Sequence, residues 1–185
     1  SESFTIFYGG YVGDDRGLDS ICQAVRSLSG VRLVIMGSCS EIYGSRLKTL
    51  YQNVPNIELC LSWTPHEEII RYAMAADMLF AFYDPDIPNN KYASPNKLFE
   101  AMMCSKPVLV NDCTSMADIV RGEDCGLVVP YGDVNAIKYA IITLKNDPAL
   151  CKRLGESGRK AYETKYNWKT MEERLLELYE ELDPE

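Results

Sequence analysis

Ser94-Pro95-Asn96-Lys97-Leu98-Phe99-Glu100-Ala101-Met102-Met103-Cys104-Ser105-Lys106-Pro107-Val108-Leu109-Val110 decides how this chain of 185 residues folds. Ser94-Pro95-Asn96 reads as a helix start, since proline suits the first turn, where the amide hydrogen has no partner to lose. Leu98 with Met102, and Phe99 with Met103, recur at helical spacing and predict a face packed on a sheet. Pro107 to Val110 then reads as a strand. Upstream, Met78 to Phe82 is another apolar run, followed by a polar loop from Asp84 to Ser94 that contains proline and asparagine. Strand, loop, helix and strand in this order predict a right-handed βαβ unit with parallel strands.

The same rhythm extends in both directions. Phe4 to Tyr8 reads as a first strand that opens into a glycine-rich loop. Leu18, Ile21, Cys22, Val25 and Leu28 recur at helical spacing. Val31 to Met36 is a continuous apolar run, as expected of a strand buried on both faces, and Gly37-Ser38 ends it. A helix through Leu47 and Leu50 and a strand at Ile57 to Leu61 follow. Thr64-Pro65-His66-Glu67 reads as a capping box opening the helix of Ile69, Ile70, Tyr72 and Ala73. Beyond Val110, a short helix is expected around Asp118 and Val120, and a strand at Leu127 to Val129. Asp133 and Asp147-Pro148 each start a helix, and an amphipathic helix runs from about Trp168 to Leu182. The expectation is an α/β domain: a Rossmann-like open parallel sheet flanked by helices, with a C-terminal helical appendage. Without internal repeats or linkers, residues 1–185 read as one domain.

Composition narrows the function. A net charge of -8 argues against a nucleic-acid binder and against a surface built to lie broadly on anionic lipid. It leaves room for a small basic pocket, which takes only two or three cations. The 7 cysteines form no C-x-x-C pair and lie mostly in or beside apolar segments. That predicts a reducing, cytoplasmic setting with neither a disulfide framework nor a zinc site. No run reaches membrane-spanning length and no signal peptide opens the chain. The abrupt first strand at Phe4 is read either as a cut at a domain boundary or as a chain whose first half lies elsewhere.

In an open parallel sheet, ligands bind beyond the carboxyl ends of the strands. Three loops there carry suggestive chemistry. Gly9-Gly10-Tyr11-Val12-Gly13-Asp14-Asp15-Arg16-Gly17 allows close backbone approach and offers a cation, although it lacks the dinucleotide fingerprint. At Ser94-Pro95-Asn96-Lys97 the helix amides suit an anion. Lys97 lies where the helix dipole disfavours a cation, which is natural if an anion sits there. Asp112 to Asp118 is a third polar loop that could line the same crevice. His66, the sole histidine, reads as a surface residue, and Trp63 and Trp168 as packing residues. No pair of carboxylates is spaced to identify an acid–base dyad.

The segment from Ser94 to Val108 resembles the donor-site signature of family-four glycosyltransferases, which are retaining enzymes of GT-B fold. Tyr8-Gly9-Gly10 with Arg16-Gly17-Leu18-Asp19, Gly126-Leu127-Val128-Val129-Pro130 with Asp133, and Tyr166-Asn167-Trp168 extend the resemblance over nearly the whole chain. The resemblance implies the C-terminal, donor-binding half of such an enzyme. With an N-terminal acceptor domain it would transfer a hexose from a nucleoside diphosphate sugar, with retention of configuration. Alternatives are a nucleotide-binding module without transferase activity and a GT-B sugar-nucleotide epimerase.

By resemblance, Glu100 accepts the ribose hydroxyls and Arg16 contacts the diphosphate. Gly9, Gly10, Ser94, Pro95, Asn96 and Lys97 complete the donor site, and Arg16 and Lys97 stabilise the leaving diphosphate. No metal and no cofactor beyond the donor substrate are expected. The partners are the nucleotide sugar and the N-terminal domain, through which the protein could associate peripherally with the inner face of a membrane. Three positions depart from the family pattern. Tyr92 replaces a glutamate that faces the transferred sugar. Gly10 replaces a diphosphate arginine found in many members. Ser105 replaces the glycine that usually ends the helix.

Overall fold

A computed structural model describes residues 3–182. The strands are β1 (Phe4–Gly9), β2 (Val31–Met36), β3 (Ile57–Cys60), β4 (Met78–Ala81), β5 (Val108–Asn111) and β6 (Gly126–Val129). They form one sheet in the order β3-β2-β1-β4-β5-β6, with every pairing parallel. The chain builds outward from β1 through β3, then returns to β4 on the other side of β1. The β1/β4 junction is therefore the switch point, where the loops leaving the sheet diverge and open a crevice.

Alternation along the strands builds two cores. Ile6, Tyr8, Leu33, Ile35 and Phe80 point to one face. There they meet α1 (Leu18–Val25), α2 (Glu41–Tyr51) and α7 (Val134–Asn146) through Leu18, Ile21, Leu47, Ile137 and Ile141. Phe7, Val34, Met36, Leu79 and Val110 point to the other. They meet α3 (His66–Ala75), α5 (Asn96–Met103) and α6 (Ser115–Glu123) through Ile69, Ala73, Leu98, Met102 and Met116. The expected Rossmann-like sheet is present. So is the helical appendage, made by α8 (Pro148–Ala161), a π-helical stretch (Tyr162–Tyr166) and α9 (Trp168–Leu182). Loop 84–94 also contains one short helix, α4 (Pro88–Lys91).

Local signals hold where the chemistry is local. The Asp133 carboxylate accepts from the Asn135 and Ala136 amides at 2.9 Å, and that of Asp147 accepts from the Leu150 amide at 2.9 Å. The capping box at Thr64 does not form. Pro65 takes the cap position of α3, and the Thr64 hydroxyl donates to the Ser62 carbonyl at 3.3 Å. With proline at the cap, no hydroxyl stands there to accept from the first-turn amides. The helix expected through Leu28 ends at Val25, because Ser27, Ser29 and Gly30 turn the chain into β2. Phe99 is partly buried against the second of the two cores and also lies beside Tyr166, with ring centroids 5.3 Å apart.

Ser105 ends α5 in the left-handed region at φ 57°. Its amide donates to the Met102 carbonyl at 3.0 Å and that of Lys106 donates to Ala101 at 2.9 Å, the paired bonds of a Schellman turn. A residue with a Cβ costs about 1–2 kcal/mol in this conformation, and glycine gives part of that back as unfolded-state entropy. Ser105→Gly is accordingly expected to stabilise the chain by about 0.5–1 kcal/mol in urea unfolding. A destabilised variant would show that the serine side chain holds the turn.

Candidate functional site

At the carboxyl end of the sheet lies an open cleft of about 590 Å³. Its floor is the glycine loop after β1, Gly9-Gly10-Tyr11, beside Gly37-Ser38 after β2. One wall is the start of α5, with Asn96, Lys97 and Glu100; the other is Trp63, Thr64, His66 and Ile69 before and within α3.

The two glycine loops touch. Gly10 donates its amide to the Met36 carbonyl at 2.9 Å, and Val12 donates to Ser38 at 2.8 Å. A Cβ on Gly37 would lie only 1.8 Å from the Gly10 carbonyl oxygen, and Gly37 has φ 143°. Only glycine leaves room for this crossing.

Lys97 is the cation of the cleft. Its ammonium lies 4.8 Å from the centroid of the Tyr8 ring. A side chain on Gly10 would begin 3.1 Å from the same Nζ. The ammonium therefore borders the space that an arginine at position 10 would enter. Burial pushes Lys97 down to about 8; Glu100 partly offsets this and Arg16 adds to it. A cation desolvated in this way gains more from an incoming anion than one already in water. Below it, burial pushes the Tyr8 phenol up, and its hydroxyl donates to the Tyr11 carbonyl at 2.5 Å.

Glu100 lies one turn further along α5. Its Oε1 is 2.9 Å from Nε2 of His66, and its side chain is 15% exposed against 70% for the imidazole. His66 is exposed as expected of a surface residue, yet it belongs to the cleft. Trp63 does not pack: it is 77% exposed on the cleft wall, and Trp168 is exposed at the start of α9. Both aromatic side chains sit where the chain turns into a helix, outside the apolar faces that bury other rings.

Gly9, Gly10, Asn96, Lys97 and Glu100 thus come together, whereas Arg16, Ser94 and Pro95 are not on the cleft wall. Arg16 is the last residue of a single 3₁₀ turn (Asp14–Arg16) and is held by neighbours. Its Nη1 lies 2.8 Å from Asp15 Oδ2 and donates to Asn90 Oδ1 at 3.0 Å, and its guanidinium stacks 3.9 Å from the Tyr83 ring centroid. Asn90, buried in α4, also donates to Asp15 at 3.1 Å. These bonds tie the loop after β1 to the loop after β4.

The third loop is used for support instead of lining the cleft. The buried Asn111 amide bridges the Tyr83 backbone on both sides, at 2.8 and 3.0 Å. Thr114 donates to the Asn111 carbonyl and Ser115 to that of Ala93. Tyr92 is 75% exposed and is not part of the cleft. Among the described residues no group of three acidic, histidine or cysteine side chains could hold a metal ion. No described helix is long and apolar enough to cross a membrane.

Residues 3–147 match the family model of glycosyl transferases group 1. A curated relative is the capsular polysaccharide biosynthesis glycosyltransferase CapM of Staphylococcus aureus. It is 25% identical over 97% of this chain and 46% of its own length. The C-terminal domain of a glycosyl transferase group 1 family protein, LpcC of Francisella tularensis, superposes with a TM-score of 0.74. It is 15% identical and covers 89% of this chain and 87% of that domain. HepE of Anabaena in complex with UDP-glucose superposes with a TM-score of 0.82 at 14% identity, over 97% of this chain and 49% of that one. The chain spans about half the length of the first curated relatives it matches.

Proposed function

We propose, since this chain belongs to the glycosyl transferases group 1 family, that it is the donor-binding half of a transferase moving a hexose from a nucleoside diphosphate sugar to an acceptor with retention of configuration. The observation that carries the reading is the cleft at the sheet switch point. There a desolvated lysine, the start of α5 and a half-hidden carboxylate face a floor of glycine backbone. The diphosphate would lie against Lys97 and the free amides of α5, where the charge of the leaving group grows as the glycosidic bond breaks. Groups fixed at that position stabilise the transition state more than the ground state. UDP-glucose in HepE supports a nucleotide sugar as ligand, and CapM supports a polysaccharide or glycoconjugate as acceptor. The acceptor would be bound by a further, N-terminal domain. Arg16 would add to the diphosphate site once released from Asp15 and Asn90. The exposed Tyr92 favours a second reading, a nucleotide-binding module without transfer, because the sugar-facing carboxylate that the family resemblance implies is missing there.

The test is calorimetric titration of the chain with UDP, GDP, ADP and their 2′-deoxy counterparts, repeated on Glu100→Gln. A carboxylate accepting two ribose hydroxyls makes charge-assisted bonds worth about 1.5–3 kcal/mol. The substitution is expected to weaken ribonucleotides by that amount and 2′-deoxyribonucleotides by less. Equal losses would exclude the ribose role of Glu100, and binding of none of these ligands by the wild type would overturn the reading.

A further inference from the structure

His66 opens α3, and its ring reaches Glu100 of α5 across 34 residues of sequence, Nε2 to Oε1 at 2.9 Å. Among the described residues, this is the hydrogen bond that the Glu100 carboxylate makes. An ionised carboxylate can only accept, so His66 donates from Nε2 whether the imidazole is neutral or charged. One carboxylate oxygen is thereby held while the other stays available to a ligand in the cleft. The exposure of the pair agrees with this division. The carboxylate is the sheltered member at 15%, and the imidazole spans from it to solvent at 70%. A glutamate already tethered loses less freedom when it takes a ligand than one swinging among rotamers. Nothing else in the geometry requires a histidine here: α3 starts without a side-chain cap, and its core face is Ile69 and Ala73.

We propose that His66 is the positioning residue for Glu100, holding Oε1 so that Oε2 faces the vicinal hydroxyls of a ribose and thereby setting the preference for ribonucleotides over 2′-deoxyribonucleotides. The proposal rests on the reading of the cleft as a nucleotide site. It assigns His66 no contact with the reacting atoms and no part in holding the diphosphate.

The experiment measures dissociation constants for UDP and 2′-deoxy-UDP, or GDP and 2′-deoxy-GDP if the wild type prefers guanine, on wild type, His66→Ala, His66→Gln and Glu100→Gln. His66→Ala is expected to cut the ribose preference about three- to tenfold, the scale of a weakened charge-assisted bond, with affinity for the deoxynucleotide nearly unchanged. His66→Gln, whose amide can donate from close to the Nε2 position, is expected to restore most of the preference. A merely structural histidine would not produce that pattern of loss and rescue. A wild-type preference in His66→Ala overturns the proposal. If Glu100→Gln still abolishes the preference in the same series, the ribose role of Glu100 stands without it. If neither substitution moves the ratio, both assignments fall.

Discussion

Lys97→Met is expected to lower affinity for a nucleoside diphosphate by about 2–5 kcal/mol, the cost of removing one partner from a desolvated charge pair, while leaving the affinity of the free nucleoside nearly unchanged. Methionine keeps an unbranched apolar side chain and removes the ammonium that lies over Tyr8. The unliganded chain should respond in the opposite sense. Lys97 is held near 8 in the fold against 10.5 in a free side chain, so folding works against its proton. That cost is fully present below pH 8, shrinks as the pH rises, and is gone above the unfolded value, because only there are both states neutral. Without ligand, the variant should therefore melt higher than wild type at pH 7, and the advantage should fade between about pH 8 and 10.5. A diphosphate that restores the charge draws a proton onto Lys97. Wild-type binding near pH 8.5 should accordingly be accompanied by proton uptake, read from calorimetry in buffers of different ionisation enthalpy. Unchanged diphosphate affinity in the variant would remove Lys97 from the site.

Gly37→Ala is expected to destabilise the chain by about 3 kcal/mol or more, combining the strain of an L residue at this φ with a backbone clash. The new methyl would meet the Gly10 carbonyl at 1.8 Å, and that oxygen belongs to backbone with no rotamer to yield. The glycine loop would have to leave its place under Lys97, so nucleotide affinity should fall together with the melting temperature. Gly122→Ala in α6 makes a matched control. Nothing lies within 4 Å of its added methyl, and alanine in a helix is worth about 0.5–1 kcal/mol over glycine. The two substitutions should move the melting temperature in opposite directions. If Gly37→Ala melts like wild type, the crossing of the two loops is looser than their geometry indicates.

Much of the fold was legible because its signals are local. The continuous apolar run from Val31 to Met36 needs cover on both faces. The spacing of Leu98 and Met102 marks one helix face, and Asp133 and Asp147 cap the helices they precede. At Ser105 the resemblance implied only that a glycine usually ends the helix, and the left-handed conformation there comes from the structure. The reading at Thr64 failed because a proline one residue later took the cap position.

The site was legible only in part. Gly9, Gly10, Asn96, Lys97 and Glu100 lie in two segments that each read as a strand-to-helix junction, and both junctions do face the cleft. Gly37-Ser38 was visible only as a strand end, and Trp63 and His66 only as a packing residue and a surface residue. The amino-acid sequence by itself determined the parallel α/β sheet, its helices and the residue types able to meet a phosphate, because periodicity and capping depend on neighbours a few positions apart. Only the tertiary structure decided which of those residues meet. Strand order set β1 beside β4, drew His66 onto Glu100 and tied Arg16 to Asp15 and Asn90. It also half-buried Lys97 beside Tyr8 and Gly10, because the exclusion of water that lowers its proton affinity depends on which chain segments close around it.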